Sequence, residues 1–405
     1  MNRPSPWRVG VSGPLRVYVV GFRADLLERG YSERSCAEHL LRMAHLSSWL
    51  AEIGLPPEEL VMPQVERFLE VRRDRSWVDR TLTVKGMQPL LDHLRGVGVV
   101  PAAEPVQRLW GGRDLVIEQF AAYLVAERGL AASTVGNYRK VAERFLGECH
   151  WEPGDPAFLS GGLVNAFVLG EASRRSRGSL NTVTTGLRAL LRFLYLHAHT
   201  AALLVDAVPV APSWRDQGVV RAVPADHVAG MLACCDRRTR VGLRDYAVLE
   251  VLARLGLRRS EVADLTVDDI GWRAGELMVT GKGNRREALP VPVDVGEAIA
   301  DYCRDGRPGG GSRSLFLGSL APWEPLSPSG VGQIVARACT RAGLPVVGAH
   351  RLRHTAATEM RAAGAPLLEI GQVLRHRNTA TTMLYARDDM TALRVVARSW
   401  PGSRK

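Results

Sequence analysis

The sequence contains no apolar run of the length that a membrane-spanning helix needs. Its first residues, 1–7, also lack the apolar core and the cleavage site of a signal peptide, so we expect a cytoplasmic protein with no membrane partner. The six cysteines form no Cys-x-x-Cys pair and no paired Cys/His spacing. We therefore expect no zinc site, and we interpret the adjacent Cys234 and Cys235 as reduced helix residues.

Carboxylates spaced to hold two catalytic metal ions are also missing. Asp264, Asp268 and Asp269 form a cluster, but no later acidic residue follows at a suitable spacing. We interpret these three as solvated turn residues, which argues against a metal-dependent nuclease or transposase. The sequence thus predicts neither a metal nor another cofactor.

What the sequence does have is length and positive charge. Its 405 residues exceed what one hydrophobic core usually organises, which predicts two or three domains. Lysine and arginine exceed aspartate and glutamate by 11, and the isoelectric point is near 9.8. This excess favours a polyanionic partner, above all nucleic acid, although an arginine-rich proteome would produce the same bias.

The first half of the chain contains an internal repeat. Residues 28–35, which include Glu-Arg-Gly, align with residues 127–134, and each segment then offers Ser or Thr as a helix N-cap. Apolar stripes at helical spacing follow in both copies: His39, Met43 and Leu46 match Tyr138, Ala142 and Phe145, and Leu90, Leu91 and Leu94 match Leu190, Leu191 and Leu194. We predict two helical modules in tandem, although unrelated helical bundles would also share leucine stripes.

The pattern changes after residues 206–222, whose Pro209, Pro212 and Gly218 are typical of a linker. Helices are predicted to start at Pro224 and to cover residues 244–255 and 260–265. Strand, turn and strand follow over 276–291, and then helices from Ser329, broken by Pro345 and by 364–366. The predicted fold is mainly α with a small antiparallel sheet, and the predicted segments are a helical module (1–110), a second helical module (111–205), a linker (206–222) and a last domain (223–405).

The last domain carries arginines, histidines, one lysine and one tyrosine in four short motifs. These are Gly-Leu-Arg-Arg-Ser-Glu at 256–261, Gly-Lys-Gly-Asn at 281–284, His-Arg-Leu-Arg-His-Thr at 350–355, and Leu-Arg-His at 374–376 followed by Thr-Thr-x-x-Tyr at 381–385. Guanidinium groups match phosphate oxygens in pairs, and a histidine can take the proton of a tyrosine hydroxyl. The set therefore contains the groups that attack a phosphodiester without a metal.

This set resembles the tyrosine recombinases of the phage integrase family, and the resemblance covers nearly all of residues 222–390. It implies an integrase-type catalytic domain preceded by a SAM-like core-binding module, with the first module a degenerate copy of the second. It also gives each residue a role: Arg258 and Arg353 clamp the scissile phosphate, Lys282 is the general acid, His350 accepts the tyrosine proton, His376 hydrogen-bonds the phosphate, and Tyr385 is the nucleophile.

Two positions depart from the family pattern. Members usually have glycine where this chain has Arg375, and commonly aspartate where it has Arg351. We expect each extra positive charge either to add a DNA contact or to alter the local loop geometry.

Further polar and basic residues in and after the second module are predicted to contact DNA. They are Thr134, Asn137, Arg139, Lys140, Arg144, Arg174, Arg175 and Arg177. Phosphate contacts of this kind position a protein without specifying a sequence. For any single member of this set, a solvated basic face is an equally good interpretation.

The resemblance implies a site-specific DNA recombinase that acts on double-stranded DNA through a 3′-phosphotyrosyl link and a Holliday junction. A homotetramer on two synapsed recombination sites is expected, with accessory DNA-binding proteins as further partners and with residues 390–400 docking onto a neighbouring subunit. We expect a role in integration, excision or transposition of a mobile element. Two alternatives remain: a type IB topoisomerase with the same chemistry, and a DNA-binding regulator that kept the fold.

Overall fold

The computed structural model describes residues 9–74, 83–101, 112–209, 222–281 and 285–375. The chain forms two compact units, one made of residues 1–101 with 217–405 and the other of residues 102–216. Three large hydrophobic clusters lie within residues 15–100, 116–208 and 223–352. The predicted fold class, mainly α with a small antiparallel sheet, is confirmed. None of the described helices is long and apolar enough to cross a membrane.

The described part of the first module is a bundle of four α-helices with its leucine stripe inside. The helices are α1 (Val19–Glu28), α2 (Glu33–Ile53), α3 (Met62–Asp74) and α4 (Val84–Gly96). Helix α2 begins after Ser32, whose hydroxyl accepts a hydrogen bond from the Ser35 amide, and it ends at the left-handed Gly54. Leu90, Leu91 and Leu94 of α4 are almost fully buried, as the repeat predicted.

The second module repeats this arrangement helix by helix. Its helices are α5 (Gly112–Ala126), α6 (Ala132–Glu148), α7 (Gly161–Arg174) and α8 (Arg177–Leu196). Ala142 and Phe145 of α6 are fully buried and Tyr138 is half-buried, so the predicted stripe does face the core. The expected Ser or Thr cap is wrong here, because Ala131 precedes α6 and offers no side-chain hydrogen bond.

Residues 222–281 and 285–375 of the last domain contain seven α-helices. They are α9 (Ala225–Ala233), α10 (Arg240–Arg254), α11 (Arg259–Asp264), α12 (Val293–Asp301), α13 (Pro328–Arg341), α14 (Ala349–Ala362) and α15 (Leu367–Val373). The central helix is α10, which packs against α9, α11, α12, α13 and α14. It starts four residues earlier than predicted, because the Thr239 hydroxyl caps it by accepting from the Gly242 amide at 3.0 Å.

The sheet is a three-stranded antiparallel meander. The predicted strands are present as β2 (Glu276–Thr280) and β3 (Arg286–Pro290), and a short strand that the sequence did not predict, β1 (Ile270–Gly271), pairs with β2. The interpretation of Asp269 as a solvated turn residue is wrong. Its buried carboxylate accepts hydrogen bonds from the amide and hydroxyl of Thr266 and from Arg286, so it fixes the turn that leads into the sheet.

Within the larger compact unit, Gly30 of the first module lies against Trp323 of the last domain. Gly30 follows α1 with φ +84°, and a Cβ built there would lie only 1.9 Å from a ring carbon of Trp323. The matching residue of the second module is Gly129, which has φ +56° and nothing within 4 Å of a built Cβ. The equivalent turns of the two modules therefore have different surroundings.

Candidate active site

The segment that leads into α11 is shaped by one glycine. Gly256 has φ +59°, and a Cβ there would come within 2.7 Å of Leu374, so a side chain at this position would meet both backbone strain and a clash. The turn places Arg258 at the N-cap position of α11. The Arg258 amide donates to Glu261 Oε2 at 2.7 Å, while its Nη1 donates to Glu261 Oε1 at 2.6 Å.

The second predicted clamp residue, Arg353, reaches the same carboxylate from α14. Its Nη1 lies 3.8 Å from Glu261 Oε2 and donates to the carbonyl oxygen of Gly256 at 2.7 Å. Its Nη2 donates to the carbonyl oxygen of Leu374. The Arg353 side chain is 1% exposed, whereas that of Arg258 is 34% exposed, so only Arg258 is open to solvent.

A third arginine completes the group. Arg375 follows α15 with φ +53°, and its Nη2 donates to Glu261 Oε2 at 2.7 Å. Its Nη1 donates to the carbonyl oxygen of Val373 at 3.0 Å. The guanidinium is turned inward, so of the two expectations for this position the structure favours altered loop geometry over a DNA contact. We call Glu261 with Arg258, Arg353 and Arg375 the Glu261 cluster.

The cluster is strongly positive even though it surrounds a carboxylate. Burial by itself would raise the pKa of Glu261, but Arg375 and Arg258 outweigh burial and hold that pKa below its ordinary value. Glu261 is therefore ionised at neutral pH. Since three guanidinium groups share this one carboxylate, the cluster keeps a surplus of two positive charges. Such a surplus is suited to binding a phosphate.

His350 lies in the first turn of α14, one turn before Arg353. Burial lowers its pKa, and the neighbouring Arg353 and Arg258 lower it further. Its ring packs edge-on against His354 at 4.4 Å between centroids, and burial together with His350 lowers the pKa of His354 to about 4. His350 is therefore neutral at pH 7 and has the lone pair that a proton acceptor needs.

The described part of the site brings together Arg258, Arg353 and His350 from the predicted set. Lys282, His376 and Tyr385 lie outside the described residues, so their roles stay predictions. Sequence reasoning gave no role to Glu261, and for Arg375 it expected a DNA contact or altered loop geometry but not the ion pair with Glu261. A signal for Glu261 was present, because an acidic residue at the third position of a helix commonly bonds back to the N-cap amide. Among the described residues, no group of three His, Cys, Asp or Glu is placed to hold a metal.

The second module presents a polar groove of about 590 Å³ between α6 and α8. Of the predicted DNA-binding residues, Asn137, Lys140, Arg144 and Arg175 line it, together with Ser179 and Thr182, which the sequence did not single out. Thr134 lies in the first turn of α6, one turn before Asn137, and is not among the residues that line the groove. The side chain of Arg177 lies outside the described residues.

The arginines of this module form ion pairs with different carboxylates, and these pairs determine which arginines lie beside the groove. Arg144 and Arg175 both donate to the buried Glu171, at 2.6 and 2.5 Å from its Oε2, and remain beside the groove. Arg139 is held between Glu118 and Glu143 instead, at 2.5 and 2.9 Å. Arg174 lies 3.7 Å from Glu148. Lys140 is exposed, and no ion pair is seen for it among the described residues.

Comparison with known proteins places this geometry in a family. Residues 221–392 match the sequence model of the phage integrase family. A putative integrase/recombinase of Sinorhizobium fredii, y4rA, is 38% identical over 96% of this chain and 95% of its own length. The tyrosine recombinase XerD of Mycobacterium tuberculosis is 31% identical over 71% of this chain and 97% of its own length.

Solved structures show the same fold. The site-specific recombinase XerH, bound to a palindromic difH substrate, superposes with a TM-score of 0.57 at 15% identity, over 74% of this chain and 99% of its own. Lambda integrase bound to a core site gives a TM-score of 0.53 at 19% identity, over 71% and 96%. With a relative so similar over almost its whole length, the chain belongs to the phage integrase family of tyrosine recombinases and is a site-specific DNA recombinase.

Proposed function

We propose that Arg258 and Arg353 of the Glu261 cluster hold the scissile phosphate during DNA strand exchange, with Tyr385 as the nucleophile. The observation that carries this proposal is the convergence of Arg258 and Arg353 on one buried carboxylate with a neutral His350 beside them. Phosphodiester cleavage passes through a state with extra negative charge on the non-bridging oxygens. Fixed guanidinium groups stabilise that charge.

In the proposed cleavage step, the hydroxyl oxygen of Tyr385 attacks the phosphorus and the bond to the 5′ oxygen breaks. The tyrosine proton passes to His350, and Lys282 protonates the departing 5′ oxygen. An unperturbed tyrosine has a pKa of about 10, so it needs this neutral acceptor and the nearby cations to attack at pH 7. The products are a 3′-phosphotyrosyl link and a free 5′ hydroxyl.

Rejoining reverses the same step with a different 5′ hydroxyl. The link keeps the energy of the broken bond, so attack by the partner strand needs neither ATP nor a metal. Exchange of one pair of strands gives a Holliday junction, and a second exchange resolves it. We propose that these two successive strand exchanges are carried out by a homotetramer on two synapsed sites. Accessory DNA-binding proteins are a further proposed class of partner.

The groove of the second module is proposed to receive the DNA duplex beside the cleavage site. Arg144 and Arg175 supply charge, while Asn137, Ser179 and Thr182 supply groups that can contact base edges or phosphates. The segment boundaries at residues 110, 205 and 222 remain our proposed division of the chain. The three separate hydrophobic clusters support a division into three parts, but the second cluster reaches Val208, three residues past the boundary at 205.

We also propose that the biological role is the movement of a mobile element by integration, excision or transposition. XerD-type relatives correspond to only about 70% of this chain while being matched over almost their full length. The part of this chain that those relatives do not match is long enough to form the additional helical module, which a minimal chromosome-resolving enzyme does not need. Two relatives that match nearly the whole chain are named putative integrase/recombinases.

The test is covalent capture on a suicide substrate. Nicked duplexes tiled across the DNA flanking the gene are incubated with the full-length protein, and protein–DNA adducts are separated under denaturing conditions. We expect an adduct with the wild-type chain, its loss in Tyr385→Phe, and strand exchange between two sites. Relaxation of supercoiled DNA without exchange would favour the topoisomerase alternative. DNA binding with no adduct would favour the regulator.

A further inference from the structure

Arg375 occupies a position where neither the backbone nor burial favours an arginine. Its φ of +53° lies in the left-handed region, which glycine adopts freely and residues with a Cβ atom rarely adopt. Its side chain is 4% exposed, and among the described residues its Nε has no hydrogen-bond acceptor. An ion pair of 2.7 Å with Glu261 is the interaction that offsets both penalties.

The main chain around Arg375 is held by both clamp arginines. Arg353 Nη2 donates to the carbonyl oxygen of Leu374, and Arg258 Nη2 donates to that of Arg375 at 3.4 Å. Arg375 in turn bonds the carboxylate that both arginines share. Its side chain and its backbone are thus linked to Arg258 and Arg353 by separate contacts.

We propose that Arg375 is a positioning residue of this active site: it neutralises Glu261, leaving the charge of Arg258 and Arg353 available for the phosphate, and it fixes the backbone turn at residues 374–375, which directly precedes His376 in the sequence. The proposal rests on the function proposed above for Arg258, Arg353 and His376. Without Arg375, the carboxylate would compensate one of the two clamp arginines and the surplus charge of the cluster would fall from two to one.

The alternative is that Arg375 only shapes the turn. The two explanations differ in what they predict for Arg375→Gly. Glycine fits φ +53° without strain. If Arg375 only shaped the turn, replacing it with glycine would leave the cleavage rate unchanged or raise it. A neutralising residue would be replaced with a loss of cleavage, because glycine leaves Glu261 to the clamp arginines.

The experiment compares full-length wild type with Arg375→Gly, Arg375→Lys, Glu261→Gln and the Arg375→Gly/Glu261→Gln double variant. Arg337→Gln on α13 is the matched control, since it removes one exposed arginine whose hydrogen bond is to Gln333 and not to a member of the Glu261 cluster. Single-turnover adduct formation on the suicide duplex is measured beside DNA affinity. We expect Arg375→Gly to slow cleavage about tenfold or more with affinity within about twofold, and lysine to recover part of the rate.

The double variant tests whether the two residues act through one another. If Arg375 works by neutralising Glu261, the double variant cleaves no more slowly than Glu261→Gln alone. Wild-type cleavage by Arg375→Gly, a cleavage loss matched by the loss of DNA affinity, or fully additive losses in the double variant would each overturn the proposal.

A measurement that does not require cleavage separates this proposal from the proposed function. Orthovanadate, an analogue of pentavalent phosphate, is titrated against the unfolding temperature of the full-length protein without DNA. We expect it to stabilise wild type and Arg337→Gln more than Arg375→Gly. Equal shifts in all three proteins overturn the role of Arg375, whereas a wild-type protein that forms no adduct but shows the expected vanadate difference overturns only the strand-exchange function.

Discussion

Glu261 binds Arg258 through both carboxylate oxygens, with Oε2 accepting from the Arg258 amide and Oε1 from its guanidinium. One side chain thereby fixes the start of α11 and the direction of a clamp residue. The same carboxylate holds Arg375, which lies 114 residues away along the chain. Local helix capping and long-range assembly of the site depend on the same group.

The first prediction concerns Glu261→Gln. The amide keeps the shape but removes the negative charge, leaving three guanidinium groups crowded around a neutral group. We expect a loss of about 2–4 kcal/mol in stability, because breaking a buried ion network leaves uncompensated charge. Thermal or urea unfolding monitors it. Asp264→Asn, on the exposed side of the same helix, is the control and should change stability little; equal stability of the two variants would refute a buried ion network.

The second prediction concerns the pH dependence of cleavage. His350 must be neutral to accept the tyrosine proton, and its pKa lies below the ordinary 6.5 because of burial and then Arg353 and Arg258. Adduct formation should therefore decline on the acid side only as the pH falls through this lowered pKa, so that the midpoint of the decline lies below 6.5. His350→Gln should lack that acidic limb and cleave slowly throughout. An acidic limb centred above pH 6.5 in the wild type would contradict this assignment.

The third prediction separates two neighbouring basic residues of α6. Lys140 is exposed on the groove, whereas Arg139 is paired with Glu118 and Glu143. Lys140→Ala should weaken DNA binding for specific and unrelated duplexes alike and reduce the salt slope of log affinity by about 1. Arg139→Ala should change both the DNA affinity and the salt slope by much less than Lys140→Ala does. Filter binding or fluorescence anisotropy at several salt concentrations measures both, and a larger effect at Arg139 would show that its ion pairs open on binding.

The fourth prediction concerns acid stability of the first module. Burial, and then Arg42, lower the pKa of His39 to about 4. Between that value and 6.5 the unfolded chain binds a proton that the folded chain does not, so stability is lost as pH falls through this window. We expect His39→Gln, which keeps an acceptor for Arg42, to reduce this loss by about 1–3 kcal/mol between pH 7 and 4.5. The exposed His150→Gln is the comparison, and equal acid sensitivity of both variants would contradict the prediction.

The fifth prediction concerns residues 390–405, which lie outside the described residues. The sequence of 390–400 can form an amphipathic helix, and the family resemblance implies that it docks onto a neighbouring subunit. Deleting 390–405 should weaken synapsis of two DNA sites more than binding to one site. Two-colour DNA pull-down measures synapsis and gel shift measures binding. Unchanged recombination by the truncated protein would rule the docking role out.

Much of the fold was predictable because its signals are local. Leu90 and Leu190 lie in apolar stripes at helical spacing. The strands on either side of Gly281 were predictable because both strands and the turn between them lie within residues 276–291. The site was predictable only in part. Arg258 and Arg353 stand in recognisable motifs, but nothing near Arg375 in sequence indicates that its guanidinium reaches a carboxylate on α11. Likewise, Asp269 resembles a surface turn residue until Arg286 and Thr266 are placed around it in space.

The two Glu-Arg-Gly turns share three residues but have different neighbours in the structure. At Gly30 any side chain must displace the Trp323 indole, whereas at Gly129 a side chain meets open space and only the left-handed backbone resists it. Asparagine or aspartate, which tolerate that backbone, are thus acceptable in the second module but not in the first. Among relatives of this chain, position 129 should drift over evolutionary time while positions 30 and 323 change together.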